Sequence, residues 1–503
     1  MRLEFAIFAT LATVANADTV IAQFTNVDVP KHVYDGGWEH FVGGGMAVFD
    51  CNGDSLPELF LAGGSNRSQL FINTSKEQIA FQAKTPEDLS LAGVTGAYPL
   101  DVDSDGVVDL AILRVGPDLL LRGNTDCQFS PFTELGFQSE DHWTTGFSAT
   151  WESGQTLPTL AFGTYVDRFD PEGPFESCGP TLLYRPEGDS YREPLHLEPG
   201  YCSLSILFSD WARTGRADLR VSNDRHYYVR GGHEQLWAME SEPRQYSEDE
   251  GWLPFSIWGM GIASRDLTGD GFPEVYLTSM GDQKLQIFDP VTNGPTWRDA
   301  TYEKGTTAHR PHIGGDGRPS TGWHAQFGDV NNDGRDDIFV AKGNVEQMPD
   351  AALNDPNNLL LQNSDGQFIE AAADAGAASM AKSRGAALAD LNNDGKLDLV
   401  VVNRGSELEV SQNSSQGGNW LLIDVTQDQS NHAAIGGFIE VKTSLGVQTR
   451  ELTIGGGHAG GIAGFQHFGL GSEDQVQVRM IWPDGAKGEW LDYQPNQIIR
   501  FYR

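Results

Sequence analysis

Short apolar runs alternate with acidic, glycine-bearing loops along most of this chain. One arrangement returns in five places: AVFDCNGDSLPELFLA, YPLDVDSDGVVDLAIL, IASRDLTGDGFPEVYL, QFGDVNNDGRDDIFVA and ALADLNNDGKLDLVVV, whose loops start at Asp50, Asp101, Asp266, Asp329 and Asp390. Two weaker copies, FSATWESGQTLPTLAFG aligned on Trp151 and ILFSDWARTGRADLRVS aligned on Asp210, fill the gap between the second and third. Each period leaves room for about four short strands, including outer ones such as QLFIN, DLLLRG, KLQIFD, NLLLQN and ELEVSQN. Long amphipathic helical patterns are absent. The pattern therefore predicts an all-β fold, a seven-bladed β-propeller over 18–417. A stacked solenoid is the alternative, and radial closure is preferred because it protects sheet edges without end caps. From 418 to 503 the alternation in IEVKT and VQVRMIW, with glycines between the runs, predicts a small C-terminal β-sandwich or barrel-like domain that either caps the propeller or offers a second binding face.

Within each strong copy, oxygen-bearing side chains fall at offsets 0, 2, 4 and 8. The sets are Asp50, Asn52, Asp54 and Glu58; Asp101, Asp103, Asp105 and Asp109; Asp266, Thr268, Asp270 and Glu274; Asp329, Asn331, Asp333 and Asp337; and Asp390, Asn392, Asp394 and Asp398. Alternate side chains of a curled loop converge on one point, and several hard oxygen ligands suit calcium. An EF-hand opens in the same way but needs a bidentate Glu at offset 11, where this chain has Leu61, Ile112, Leu277, Val340 and Val401. Asx turns alone are the competing explanation; five copies of one spacing favour about five structural calcium sites. Thr268, and Ser55 in place of the turn glycine, mark the two weaker loops. No metal is expected at the copies aligned on Trp151 and Asp210.

At these loops the sequence resembles the FG-GAP or VCBS repeats of integrin-α-like propellers. From Asn419, the segments NWLLIDV, SNHAAIGGFIEVKT, TRELTIGGGHAGG and QHFGLGSEDQVQVRMIWPDG are similar to an ASPIC/UnbV domain, the C-terminal module of proteins like cartilage acidic protein. The resemblance implies an extracellular protein with calcium-stabilised blades and an adhesive or matrix-associated role. The segment before HFGLG reads GGGHAGGIAGFQ, without the Ser and Gln common there, so the ligand chemistry that the resemblance attaches to those residues is not expected to carry over; His458 and His467 are candidate site residues, with framework as the favoured reading.

Composition adds a compartment and excludes some partners. With 70 Asp plus Glu against 34 Lys plus Arg and a net charge of -36, the surface repels nucleic acid and anionic lipid. Residues 1–17 read as a signal peptide with an Ala15-Asn16-Ala17 cleavage signal, and no later run is long enough for a membrane span. A secreted protein, periplasmic if bacterial, is expected, with disulfides suggested by sequence neighbours as Cys51 with Cys127 and Cys178 with Cys202. Asn66, Asn73 and Asn413 lie in N-x-S/T sequons.

No motif of nucleophilic, dinucleotide-dependent or zinc-dependent catalysis is found. Two segments stand apart from blade framework: a long insertion, Tyr165 to Tyr201, with Phe169, Phe175 and Tyr184, and a stretch from Trp297 that gathers His309, Arg310, His312, Arg318, Trp323 and His324. His309, Arg310, His312, Trp323 and His324 are the candidate ligand contacts, set against packed loops as the plainer reading. An extracellular binding or adhesion protein with a protein or glycan ligand is the expected function. The alternatives are an enzyme acting on an extracellular glycan through the central channel, and an assembly protein docking through its C-terminal domain.

Overall fold

The computed structural model describes residues 22–224, 231–292 and 294–503. The expected signal peptide lies outside them. Among the described residues the chain is almost entirely strand, with only two four-residue α-helices, Thr301–Lys304 and Ala372–Ala375.

Antiparallel four-stranded meanders follow one another along the chain. The first comprises Met46–Phe49, Glu58–Leu61, Gln69–Asn73 and Phe81–Ala83. Corresponding first strands are Val94–Leu100, Asp141–Thr150, Ser203–Ser209, Gly259–Arg265, Gly322–Gly328 and Lys382–Ala389. Each packs on the next, and Lys382–Ala389 returns to Met46–Phe49, so the array closes on itself. The last meander lacks a fourth strand of its own; Phe24–Asn26 supplies it, pairing Phe24 with Asn413 and Asn26 with Ser411. This stitches the N-terminal end of the array to its C-terminal end. The result is a β-propeller-like fold.

Burial explains the strand sequences. First and second strands are buried along nearly their whole length, as in MAVF and ELFL, whereas fourth strands such as FQA bury only alternate or single positions. An inner strand faces neighbours on both sides and reads as a continuous apolar run; an edge strand does not. The copies at Trp151 and Asp210 build the same meander as the others, because their apolar positions persist although the full set of oxygen ligands does not. The long insertion connects Thr159–Thr164 to Thr181–Tyr184, buries Tyr165 and Tyr184, and exposes Phe169 and Phe175.

Residues 419–502 form two sheets face to face. One contains Gln466–Gly471, Asn419–Thr426 and Gln497–Tyr502; the other contains Gly446–Glu451, Phe438–Thr443, Val476–Ile481 and Leu491–Tyr493. Leu421, Ile423, Ile439, Val441, Phe468, Val478 and Met480 fill the space between them.

This domain does more than cap the array. Its segment 454–462 enters the space enclosed by the first strands. Gly461 and Ile462 pair in parallel with Ala47 and Val48, and single bridges join Gly460 to Ala97, Ile454 to Ala149, Gly455 to Leu207 and Gly457 to Ile262. The inner strands meet it with glycine. A Cβ on Gly45 or on Gly96 would stand 1.8 Å from the carbonyl oxygen of Ala459, so only a bare backbone allows the approach.

Both disulfides form between the cysteines that neighbour each other in sequence, Cys51–Cys127 and Cys178–Cys202. The first ties the opening loop of one meander to the outer hairpin of the next. Of the three sequons, Asn66 is exposed. Asn73 and Asn413 are buried: Nδ2 of Asn73 donates to the carbonyls of Pro57 and Leu391, and Nδ2 of Asn413 to those of Leu397 and Val330, each spanning adjacent meanders. These two are structural staples and present no amide to a glycosylating enzyme.

Candidate metal centres

The acidic loops join the first and second strands of their meanders and share one backbone build. The acid at offset 0 accepts the N–H at offset 5, from Ser55, Gly106, Gly271, Gly334 and Gly395, at 2.7–2.9 Å. The acid at offset 4 accepts the N–H two residues on, from Leu56, Val107, Phe272, Arg335 and Lys396, at 2.9–3.0 Å. The acid at offset 8 opens the second strand, is buried, and accepts the N–H at offset 1, from Cys51, Val102, Leu267, Val330 and Leu391. Asp109, Asp337 and Asp398 use the other oxygen to hold the third strand, through the N–H of Gly123, Gln362 and Asn413. Asx-type bonds thus shape the loop, but they leave carboxylate oxygens converging.

Convergence is tightest in the second loop. One oxygen each from Asp101, Asp103 and Asp109 lie within 4.8 Å of one another. Burial, reinforced by the neighbouring carboxylates, pushes Asp101 up to about 6 and Asp109 to about 8. Burial likewise raises Glu58 to about 7, Asp266 to about 6, Glu274 to about 8 and Asp390 to about 6, and lifts Asp329, Asp337 and Asp398 well above the usual carboxylate range. At the candidate ligand positions, buried oxygens without a hydrogen-bond partner include Asp103 Oδ1, Glu274 Oε1 and Asn392 Oδ1. A buried acid cluster of this kind favours the ionised form only when a cation joins it. The donor set, all oxygen, fits calcium.

The two divergent copies supply the contrast. Asp218 is held by the Arg216 guanidinium at 2.9 Å, by Trp211 Nε1 at 3.0 Å and by the Tyr246 hydroxyl at 2.8 Å. Glu152 is held by Arg185 at 2.7 Å and by the Thr159 hydroxyl at 2.7 Å. Here a side-chain cation compensates the acid. Among the described residues, no lysine or arginine pairs with Asp50, Glu58, Asp101, Asp109, Asp266, Glu274, Asp329, Asp337, Asp390 or Asp398; Arg122 reaches Asp103 and Asp105, and Arg335 reaches Asp333.

The loops face the C-terminal domain. Ser104 Oγ accepts the N–H of Asn431, the Thr449 hydroxyl bonds Asp266, and Arg450 reaches Asp336 at 3.1 Å. Glu451 accepts the Ser209 hydroxyl and the Asp210 N–H, both at 2.6 Å, and Arg213 pairs with Glu440 at 3.1 Å. The Trp420 ring lies against Gly395. The acidic rim is therefore also the seat of the second domain.

The candidate ligand contacts do not share a surface. His309 and Arg310 are exposed, His312 is half-buried beside Asn358 and Glu370, and Arg318 pairs locally with Asp316. Trp323 and His324 are buried around segment 454–462: Trp323 Nε1 donates to Gly343 O at 2.7 Å, the Arg384 guanidinium lies 4.0 Å from its ring centroid, and His324 receives the His458 N–H. These two are packing for the inserted segment.

His458 is satisfied on both sides, Nδ1–H donating to Met260 O at 2.9 Å and Nε2 accepting from Gly43 N–H at 3.1 Å. His467 donates through Nε2 to Gly395 O. Both serve the framework, and burial lowers both to about 3.

Family models agree with this construction. FG-GAP-like repeats match residues 50–112, 266–340 and 343–401, and ASPIC and UnbV matches 427–502. The chain carries FG-GAP-like repeats followed by an ASPIC/UnbV domain. No curated protein matches it. Among solved structures it is similar to BBS1N in complex with ARL6DN, at 10% identity, TM-score 0.43, over 77% of this chain and 96% of that one. A lectin from Agrocybe aegerita that recognises non-reducing terminal N-acetylglucosamine aligns at 13% identity and TM-score 0.37, over 71% and 91%. The extracellular domain of a hybrid two-component system from B. thetaiotaomicron aligns at 8% identity and TM-score 0.41, over 91% and 57%.

Proposed function

We propose that the chain is an extracellular binding protein: a propeller of seven blades held in shape by about five calcium ions, with the ASPIC/UnbV domain locked onto its metal-bearing rim. The contrast between loops carries this reading. Where the set of acids is intact, the offset-8 carboxylate is buried with no lysine or arginine paired to it among the described residues; where it has decayed, Arg216 pairs with Asp218 and Arg185 with the neighbouring Glu152. Asp101, Asp103 and Asp109 would hold one such ion, which would supply charge compensation and fix the loop; the other four intact sets would do the same. Calcium here is structural. Repetition at equivalent positions suits a scaffold, not a reaction centre.

Two disulfides suit an oxidising compartment, and no helix among the described residues is long and apolar enough to cross a membrane. The inserted segment occupies the channel in which a glycan-cleaving site was the alternative, which favours binding over catalysis. A melt of the purified protein in calcium and in excess chelator tests the proposal: a fall of roughly 10 °C or more on chelation is expected, and superimposable melts would overturn it.

A further inference from the structure

The five acidic loops differ in how the C-terminal domain meets them. In the Asp50, Asp101 and Asp266 loops the acid at offset 4, respectively Asp54, Asp105 and Asp270, is exposed, and so are Asn52 and Thr268 at offset 2. A cation held there has solvent on one side. In the Asp329 loop every ligand position is covered at least in part: Asp329 and Asn331 are each 1% exposed, Asp337 is fully buried, and Asp333 is half-buried with the Arg335 guanidinium 3.5 Å away.

The cover comes from the C-terminal domain. Strand Gln466–Gly471 crosses the loop so closely that a Cβ on Gly469 would stand 1.8 Å from Asp329 Oδ2, and the Gly471 N–H donates to Asn332 O at 2.9 Å. Gln448 Nε2 holds the Gly469 carbonyl at 2.9 Å, and the Leu445 side chain lies over Gly334. Gly417 and Gly418, which lead into the domain, lie against the carbonyls of Asn331 and Asn332. The Asp390 loop is covered less completely. Trp420 lies against Gly395, but Asp390, with Asp50 and Asp266, lines an open cavity of about 500 Å³ between rim and domain, and Asp329 is not among its lining residues.

We infer that the C-terminal domain is a lid on the Asp329 loop, so that the calcium ion held there exchanges only when the domain lifts, while the ions of the more open loops exchange with the domain in place. The inference rests on the calcium reading proposed above. A strand in contact with the ligand carboxylate must move before the ion can pass, and that movement is a partial unfolding which breaks the bonds of the docked domain. The coupling runs both ways. Without a cation Asp329, Asp333 and Asp337 repel one another; the ion fixes the loop backbone on which Gly469 and Gly471 rest. Occupancy of this loop and docking of the domain therefore favour each other by the same factor.

Rapid mixing of calcium-loaded protein with an excess of a fluorescent chelator tests it. About four ions are expected to leave quickly and one at least about tenfold more slowly. Asp329→Asn should remove the slow ion alone, and Asp54→Asn a fast one alone. Two variants loosen the docking without touching the Asp329 loop: His458→Ala, which frees the ring from Met260 O and Gly43 N–H, and Glu451→Gln, which weakens the hold on Ser209 and the Asp210 N–H. Each is expected to speed the slow ion at least about tenfold while the number of ions bound at equilibrium stays the same. Release of every ion in one phase, a slow phase that survives Asp329→Asn, or a slow phase that neither docking variant accelerates would overturn the inference and leave the calcium reading standing. Protein that holds no calcium at equilibrium would overturn that reading and the inference with it.

Discussion

The backbone N–H of His458 donates to Nδ1 of His324 across 3.1 Å, joining the inserted segment of the C-terminal domain to an inner strand of the propeller. The His458 ring in turn bonds Met260 O and Gly43 N–H and meets the Trp323 ring edge-on at 5.1 Å. One residue of the second domain is thus bonded to three separate parts of the first. His458→Ala removes two buried hydrogen bonds and opens a void, and is expected to destabilise the protein by roughly 2–4 kcal/mol. Urea unfolding checks the magnitude, and limited proteolysis should show earlier release of the C-terminal domain.

The same insertion sets a steric prediction. Gly96→Ala would bring a methyl group to 1.8 Å from Ala459 O, whereas nothing lies within 4 Å of a Cβ on Gly37. Gly96→Ala is expected to lower stability by roughly 2–4 kcal/mol and Gly37→Ala to leave it within about 0.5 kcal/mol. Paired thermal melts decide.

Acid should loosen the insertion. Burial lowers His324 to about 4 and His458 to about 3, so between those values and the ordinary 6.5 the unfolded chain binds more protons than the folded one. Stability is then complete above about pH 6.5 and falls as pH drops, by about 2 kcal/mol per histidine at pH 5. In calcium, the urea midpoint should fall between pH 7.5 and pH 5, and His458→Ala should show a shallower fall. A midpoint independent of pH would contradict the neutral, buried assignment.

Without calcium the loops bring the opposite sign. Burial raises Asp101 to about 6 and Asp109 to about 8, so the folded state then binds more protons than the unfolded state from about pH 4 to pH 8. In chelator these acids lose stability as pH rises through that window. Asp109→Asn is expected to be less destabilising in chelator at pH 8 than in calcium at pH 8, by about 2 kcal/mol or more; denaturant titrations in the two media measure the difference.

The loops were legible in the sequence because their chemistry is local. Offsets 0, 2, 4 and 8 place Asp101, Asp103 and Asp109 together through turns of a few residues, and apolar offset 11 announces the strand that follows. The same locality made the divergent copies readable as meanders. What the sequence hid depends on long-range packing. Nothing local to the glycine-rich segment around His458 announces that the Ala459 carbonyl fits against Gly45 and Gly96, some 360 to 415 residues away. Phe24–Asn26 carries no sign that its partner is Glu409–Asn413. Trp323 and His324 resembled ligand-gripping loop residues because basic and aromatic neighbours surround them in sequence; in space they face the inserted segment. Asn73 and Asn413 matched a sequon although their amides staple neighbouring meanders.

Elemental analysis of chelexed protein re-equilibrated with calcium tests the central claim most directly, with Asp101→Asn and Asp218→Asn run beside the parent chain. The account predicts about five calcium ions per parent chain, one fewer in Asp101→Asn, and no change in Asp218→Asn, whose acid already holds Arg216. Protein free of bound calcium, or a loss of metal in Asp218→Asn equal to that in Asp101→Asn, would contradict it.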